Sequence, residues 1–399
     1  MEDEFEAVVA GHVCLDITPE FSDDHRSLRE IFVPGRLINI GAAKISTGGA
    51  VSNTGIPLSL MGIRVRLIGK IGRDLFGQGV REVFHRYGVE NGLLEAEGEH
   101  TSYTVVIATP GYDRIFLHDP GANNTFATND IGENVFNNTR LFHFGYPPIV
   151  RRTYLDGGLE LVKLFKTAKE KNVSTSLDMC MPDASAESGR VNWEAILQRT
   201  LPYVDIFAPS IEEILFMLQR DEYERLSQTA SETDPLAGFK MDMLADLSGR
   251  LLEYGAKIVL LKCGTKGLYI RTGSKTDLAG MGKAAPTQLD NWSNRELFEE
   301  IYHVPHVVSA TGAGDCCIAG FLAALLRGKT IENSLRIACA AGALNVQTYD
   351  SHSGMRPLNE IEQLIAEGWE KEESRVTEGY FQYNRAEKHW VGLNNRPAV

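Results

Sequence analysis

Residues 309–328 read SATGAGDCCIAGFLAALLRG, and this stretch carries the strongest fold signal in the chain. Its glycines allow a sharp turn, because glycine adopts backbone conformations that other residues avoid. The apolar run that follows, as far as Leu326, predicts a helix buried on all sides. We therefore expect a tight turn that leads directly into a core helix, with Asp315 at the mouth of that helix.

The turn and the start of this helix predict an anion-binding site. The first N–H groups of a helix have no partner within the helix and carry a partial positive charge. The backbone N–H groups of Gly312, Ala313 and Gly314 can therefore hold a phosphate group. Asp315 could simply cap the helix. Beside an anion site, its carboxylate can also accept a proton from a hydroxyl group, and we interpret it as a general base.

The rest of the chain alternates between apolar strand-like runs and amphipathic helices. This rhythm predicts a parallel sheet with crossover helices. Residues 101–118 differ, because two β-rich runs there flank PGYDR and predict a hairpin. This hairpin and the short β-like pieces at 31–46 together predict a small separate sheet. Residues 219–240 and 275–306 are polar and are predicted to be irregular surface segments. The charged and aromatic tail from Glu370 is expected to dock on the core or on a partner.

Composition and charge exclude several classes of protein. The chain has 399 residues and a formal net charge of −13, which argues against a broad nucleic-acid surface. The N-terminus is acidic, and no apolar run approaches the ~20 residues of a membrane span. We therefore expect a cytoplasmic protein. The six cysteines are dispersed without metal-ligand spacing, which is typical of reduced core thiols.

One motif is misleading. Residues 328–330 read GKT, like the end of a phosphate-binding P-loop, but that pattern needs glycine where this chain has Ala323. We expect Gly328 to end the preceding helix instead.

TGAGD at 311–315, followed by a helix of small residues, resembles the C-terminal signature of the ribokinase-like (PfkB-type) carbohydrate kinases. Four further stretches resemble elements of that family in the same order along the chain. They are VVAGHVCLDI at 8–17, GGAVSN at 48–53, HDPGANNTF at 118–126 and KCGTKGLY at 262–269.

The resemblance implies an α/β fold, a three-layer α/β/α sandwich with a mostly parallel central sheet and a small β-sheet lid. The core domain would comprise residues 1–16, 48–100 and 120–399, and the lid residues 17–47 and 101–119. The implied reaction transfers the γ-phosphoryl group of ATP to a hydroxyl, expected to be primary, of a sugar or sugar-like alcohol. Mg²⁺ is the implied cofactor, with room for a monovalent cation such as K⁺. The exposed edges of the lid predict a homodimer.

The resemblance also assigns roles to particular residues. Asp315 would be the base, and the anion hole would consist of Gly312, Ala313 and Gly314. The substrate would contact Asp16, Gly48, Gly49 and Asn53. The nucleotide would contact Thr311, Gly264, Gly267 and Asn345, and Glu213 would assist magnesium through water. From the residues alone, a helix-end amide is the better interpretation of Asn345. Arg114 is either a solvated charge or a contact to a charged substrate, and His12 reads as a buried structural histidine.

The chain departs from the family pattern around the phosphate site. Ser309 and Ala310 stand where the family has Asp-Thr, Ser210 replaces the asparagine of an Asn-x-x-Glu motif, and only Asp178 survives from a D-x-N-x-R element. These departures motivate a non-catalytic ligand-binding alternative. A nucleoside kinase is the other alternative, in which Phe32, Tyr103 and Phe116 of the lid would stack on a base.

Overall fold

The computed structural model describes residues 5–21, 28–109, 114–229, 238–373 and 379–396. The strands, in chain order, are β1 Ala7–Gly11, β2 Cys14–Pro19, β3 Ala43–Gly48, β4 Val65–Gly72, β5 Leu94–Ala96, β6 Tyr103–Ile107, β7 Ile115–Asp119, β8 Leu141–Gly145, β9 Ser174–Leu177, β10 Ile206–Phe207, β11 Ile258–Lys262, β12 Leu268–Thr272, β13 Glu296–Glu299, β14 Phe381–Asn384 and β15 His389–Gly392.

The α-helices of the described residues vary from one turn to four. They are α1 Leu28–Ile31, α2 Ala50–Asn53, α3 Gly55–Leu60, α4 Leu75–Arg86, α5 Thr128–Ile131, α6 Leu159–Glu170, α7 Trp193–Thr200, α8 Ile211–Leu218, α9 Arg220–Thr229, α10 Asp242–Glu253, α11 Lys275–Ala279, α12 Leu289–Trp292, α13 Ala313–Leu326, α14 Ile331–Asn345 and α15 Leu358–Ala366.

The larger of two sheets has the strand order β14-β15-β13-β12-β11-β10-β9-β8-β1-β4-β5. The strands from β5 across to β11 all pair in parallel, whereas β12, β13, β15 and β14 add to one edge in antiparallel fashion. The expectation of a mostly parallel central sheet is confirmed. Because parallel strands share one direction, their carboxyl ends lie along one edge, where ligands collect in open α/β sheets.

Helices cover both faces of this sheet. Successive residues of β1 belong to two different hydrophobic clusters. Val9 lies in the cluster that contains residues of α3, α4, α13 and α14, and Val8 lies in the cluster that contains residues of α6, α7 and α10. Side chains of a strand alternate between the two faces, so the two clusters lie on opposite sides of the sheet. The result is the expected three-layer α/β/α arrangement.

Helix α13 is a core helix, as its sequence predicts. Every residue from Asp315 to Leu326 is buried, and the helix packs against α14 and α3. Gly328 follows its end with a φ of 68°, a left-handed conformation typical of a helix C-terminus. Gly328 therefore ends the helix, and the GKT stretch is not a phosphate loop.

The smaller sheet has the order β3-β2-β6-β7. It begins at Cys14 rather than at residue 17, since Cys14 pairs with Gly48 and Asp16 pairs with Ser46. Asp16 therefore belongs to this sheet. Residues 110–113, at the predicted PGYDR turn between β6 and β7, lie outside the described residues.

Two predictions about irregular segments are wrong. Residues 219–240 contain the helix α9, and residues 275–306 contain α11, α12 and the fully buried strand β13. Strand β13 pairs with β12 and β15 inside the central sheet. Its four residues are too few for an alternating pattern to stand out, and tertiary pairing decides their conformation.

The C-terminal tail docks on the core of its own chain. Strand β15 adds to β13, and β14 pairs with β15, so the hairpin extends the central sheet. No helix among the described residues is long and apolar enough to cross a membrane.

We predict that the C-terminal hairpin contributes to the stability of the whole chain. Phe381 is 1% exposed and packs against the rings of Tyr269 and Phe298. Phe381→Ala should lower the free energy of unfolding by about 3–5 kcal/mol, the cost of truncating a buried phenylalanine. Chemical denaturation measures this value. Tyr383→Ala, at a half-exposed position of the same hairpin, is the control, and equal values for the two variants would contradict a core role for β14.

Candidate active site

A cavity of about 860 Å³ lies at the carboxyl ends of the parallel strands. Its lining comes from both sheets and from the turn before α13, and it includes Asp16, Asn53, Asp178 and Asp315. The volume is in the range of small-molecule binding sites, and several polar groups converge on it. It is therefore the candidate site.

Asp315 lies in the first turn of α13 and is 7% exposed. Its Oδ1 accepts hydrogen bonds from the Tyr146 hydroxyl and from Thr54 Oγ1, at 3.4 Å for Thr54. Its Oδ2 accepts one from Asn53 Nδ2 at 3.4 Å. A carboxylate has about four lone-pair positions, so these three donors do not fill them, and Asp315 lines the cavity.

Burial raises the pKa of Asp315 above its ordinary value, while Lys262 and the hydrogen bonds from Tyr146, Asn53 and Thr54 oppose that rise. A carboxylate with a raised pKa is a stronger proton acceptor than an exposed aspartate, provided that it stays ionised. The environment of Asp315 therefore suits a general base.

Asn53 reaches Asp315 because of the two glycines before α2. Gly49 has a φ of 86°, and a side chain there would overlap the His12 carbonyl. Val51 N donates to that same carbonyl at 3.1 Å, which ties the start of α2 to the end of β1. Only glycine permits this close approach, and the approach places Asn53 over the cavity.

A buried ion pair lies beside Asp315. Lys262, the last residue of β11, donates to Asp178 Oδ1 at 2.6 Å, and Asp178 follows β9. Burial opposes the charge on Lys262, but the carboxylates of Asp178, Glu213 and Asp315 raise its pKa above its ordinary value. Lys262 therefore remains a cation within the cavity wall.

The turn before α13 is built as the sequence predicts. Gly312 has a φ of 78°, and any side chain there would overlap Ser351 Oγ. Ser309 Oγ accepts from Thr311 N at 3.1 Å, so the serine that replaces the family's aspartate orders the turn. Ala313 N donates to the Ala310 carbonyl at 3.2 Å, so one of the three expected anion-binding groups already has a partner.

Ser210 and Glu213 together start α8 with a capping box. Ser210 N donates to Glu213 Oε2 at 2.7 Å, and Glu213 N donates to Ser210 Oγ at 3.2 Å. The serine thus replaces an amide without loss of the helix start, and the Glu213 side chain still lines the cavity.

A residue beside the small sheet also contacts the turn before α13. Arg114 Nη1 donates to Thr311 Oγ1 at 2.7 Å, so this arginine is not a solvated charge. Of the three aromatic residues considered for base stacking, Phe116 lines the cavity, whereas Tyr103 packs against Phe76.

The structure brings nearly all the residues singled out from the sequence to this one cavity. The lining includes Asp16, Gly48, Gly49, Asn53, Glu213, Gly264, Gly267, Thr311, Gly312, Ala313, Gly314 and Asp315. Asn345 is not brought there, since its amide donates to the Asp350 carbonyl at 3.2 Å near the end of α14. His12 is buried, as expected, and also lines the cavity.

Sequence reasoning missed three polar residues of the site: Tyr146, Lys262 and Thr54. Tyr146 and Lys262 lie at the ends of β8 and β11. Both could have been predicted as site residues, because polar residues at the carboxyl ends of parallel strands tend to line a ligand site.

Residues 8–357 match the model of the pfkB family carbohydrate kinases. The chain belongs to this family. It is therefore a carbohydrate kinase.

Among curated proteins, the chain is 29% identical over 296 residues to an uncharacterized sugar kinase of Archaeoglobus fulgidus, covering 74% of this chain and 96% of that protein. It is 24% identical over 378 residues to a 5-dehydro-2-deoxygluconokinase of Clostridium beijerinckii, covering 92% and 94% respectively.

Solved structures of this family share the fold. Arabidopsis thaliana ribokinase complexed with ribose and ATP has a TM-score of 0.65 at 19% identity, covering 91% of this chain and 99% of that one. A fructokinase of Xylella fastidiosa with bound ATP has a TM-score of 0.66 at 18% identity, covering 91% and 98%.

The ionisation of Asp16 generates a stability prediction. Burial raises the pKa of Asp16 to about 6, despite hydrogen bonds from Cys14 and Thr104 and the charge of Arg114. The folded state thus binds this proton more tightly than the unfolded chain. The ionised carboxylate therefore costs stability, and the cost grows as the pH rises from about 4 to about 6 and is constant above.

Asp16→Asn should accordingly raise the free energy of unfolding at pH 8, by up to about 3 kcal/mol for a shift of about two pH units. The gain should shrink as the pH falls through 6. Denaturant titrations at pH 8 and pH 5 check this, with Asp290→Asn on the surface as the control. A gain that is independent of pH, or a loss at pH 8, would contradict an ionised Asp16 in the cavity.

Proposed function

We propose that this kinase transfers the γ-phosphoryl group of ATP to a hydroxyl group of a sugar or sugar-like alcohol, with Asp315 as the general base. The observation that carries the proposal is the remaining acceptor position on the buried Asp315 carboxylate, next to a glycine turn and a lysine. A proton acceptor and a positive phosphate-binding region are the two groups that phosphoryl transfer to an alcohol needs.

In the proposed mechanism, Asp315 takes the proton of the attacking hydroxyl as the new O–P bond forms. Negative charge on the phosphoryl oxygens is stabilised by the N–H groups of Gly312 and Gly314 and by the positive end of α13. Lys262 packs against Gly314, and its ammonium adds a fixed positive charge. Arg114 contributes a further charge from the small sheet through its contact with Thr311.

The acceptor would lie on the small-sheet side of the cavity. Asp16 and Asn53 are buried or half-buried polar groups that line it and can fix hydroxyl positions. Gly48 and Gly49 let the acceptor approach the backbone. The small sheet would act as a lid that excludes water, which otherwise competes for the phosphoryl group.

The nucleotide would lie along the Gly264–Gly267 loop and Thr311. The carboxylates of Glu213 and Glu212 also line the cavity, and carboxylate oxygens are donors that Mg²⁺ prefers. Glu213 would hold the ion through water, as the family resemblance implies. Bound Mg²⁺ neutralises charge on the ATP phosphates.

ATP and Mg²⁺ are supported by a structural neighbour, a ribokinase of E. coli described in complex with ATP and Mg²⁺, at 21% identity and a TM-score of 0.65. A six-carbon sugar acid is one candidate acceptor, because several relatives are named 5-dehydro-2-deoxygluconokinases.

The proposal places the enzyme in the cytoplasm, where ATP is available, as a homodimer formed through the small sheet. Light scattering tests the dimer, and a monomer at all concentrations would refute it.

The proposal is tested by measuring ADP release with ATP, Mg²⁺ and a panel of acceptors. The panel contains ribose, fructose, 5-dehydro-2-deoxygluconate, their phosphates, adenosine and inosine. We expect the highest kcat/KM with a sugar or sugar acid. A nucleoside as the best acceptor would favour the nucleoside-kinase alternative, and binding of ATP and a sugar without turnover would contradict the proposed reaction.

Asp315→Asn tests the role of the base. The amide keeps the shape of the side chain but cannot take the proton, so we expect kcat to fall by at least ~10²-fold. The KM of the acceptor should change little. Asp290→Asn provides a surface control for the substitution, and a kcat of Asp315→Asn near that of the wild type would refute the assignment.

A further inference from the structure

A group of metal-binding side chains lies on the small-sheet side of the cavity and has no part in the proposed reaction. His12 follows β1, Cys14 begins β2 and His118 lies in β7. One ligand atom of each residue lies within 4.8 Å of the other two, and all three residues line the cavity.

We propose that His12, Cys14 and His118 form a binding site for a borderline transition-metal dication, with Zn²⁺ as the representative ion. This site goes beyond the proposed kinase reaction and does not depend on it.

The separations suit a tetrahedral ion. With Zn–N distances of about 2.0–2.1 Å and a Zn–S distance of about 2.3 Å, two nitrogen ligands lie about 3.3 Å apart and a nitrogen and a sulfur about 3.6 Å apart. The Nε2 atoms of His12 and His118 already lie 3.2 Å apart. The Cys14 sulfur lies within 4.8 Å of one nitrogen of each imidazole.

The surroundings orient the His118 imidazole for this role. His118 Nδ1 lies 3.0 Å from Thr104 Oγ1, and a proton on Nδ1 donated to that hydroxyl leaves the Nε2 lone pair for an ion. The neutral imidazole is the form that binds metals.

Cys14 must lose its proton when the ion binds. Burial and the nearby Asp16 raise the pKa of the Cys14 thiol, and its Sγ donates to Asp16 Oδ1 at 3.2 Å. Coordination therefore forms a Zn–S bond, breaks the S–H bond and releases one proton to solvent through the cavity. No change of oxidation state is involved.

The donor set selects against the magnesium that accompanies ATP. Two imidazoles and a thiolate suit Zn²⁺, whereas Mg²⁺ prefers oxygen ligands. Three protein ligands also leave the fourth position of a tetrahedral ion open to the cavity, beside Asp16. An oxygen atom of a bound molecule, or water, can take that position.

The test uses the full-length chain with Zn²⁺ or Co²⁺ alone, without ATP or an acceptor, so its outcome is separate from that of the kinase assay. Competition with a chromogenic chelator gives the affinity for Zn²⁺, and Co²⁺ reports a thiolate ligand by its sulfur-to-metal charge-transfer absorption. We expect one Zn²⁺ per chain at this site, a Co²⁺–thiolate band, and no displacement by Mg²⁺ in excess.

Cys14→Ser should abolish the thiolate band, and His118→Gln should weaken Zn²⁺ binding at least ~10-fold. Cys263→Ser is the control for a buried thiol elsewhere. Glu387→Gln is the control for the other group of possible ligands, Glu332, Glu387 and His389, which holds no cysteine. Circular dichroism checks that each variant folds.

The proposal is overturned if the wild-type chain shows no thiolate band with Co²⁺, or if Cys14→Ser retains it. It is also overturned if His118→Gln, folded by circular dichroism, binds Zn²⁺ as tightly as the wild type.

Discussion

The Lys262 ammonium lies in the wall of the cavity, paired with Asp178 and close enough to Asp315 and Glu213 for their charges to affect it. Carboxylates buried this close together repel one another and lose hydration, so without a cation they would take up protons. Lys262 favours the ionised form of Asp178 and of Asp315. The proposed chemistry depends on this, because a protonated Asp315 cannot act as a base.

The fold supplies the elements of this charge cluster from distant parts of the sequence. Asp178 and Lys262 follow or end parallel strands, and Asp315 begins a helix that is buried along its whole length. The helix cannot shift without disturbing the core on one face of the sheet. The left-handed Gly312 and the contact with Ser351 fix the direction in which the helix starts.

The local part of this arrangement could be predicted from the sequence. A glycine turn, an aspartate and an apolar helix are adjacent along the chain, so their geometry follows from local conformational preferences. The partners of Asp315 could not be derived in this way. Tyr146 and Thr54 reach it only because β8, α2 and α13 meet in three dimensions. Strand β13 was missed for a related reason, since four residues gain strand conformation from their neighbours in the sheet.

In the proposed mechanism Asp315 is held ionised by its hydrogen-bond donors and by Lys262, and the pH profile of Tyr146→Phe tests this most directly. The variant loses one donor to the charged carboxylate, so the pKa of Asp315 should rise. A hydrogen bond to a charged group is worth about 1.5–3 kcal/mol, which corresponds to about one to two pH units. The acid limb of kcat/KM should therefore move to higher pH by about one unit or more, while Tyr154→Phe leaves it in place. An acid limb of Tyr146→Phe at the wild-type position would contradict an Asp315 held ionised by its hydrogen-bond donors.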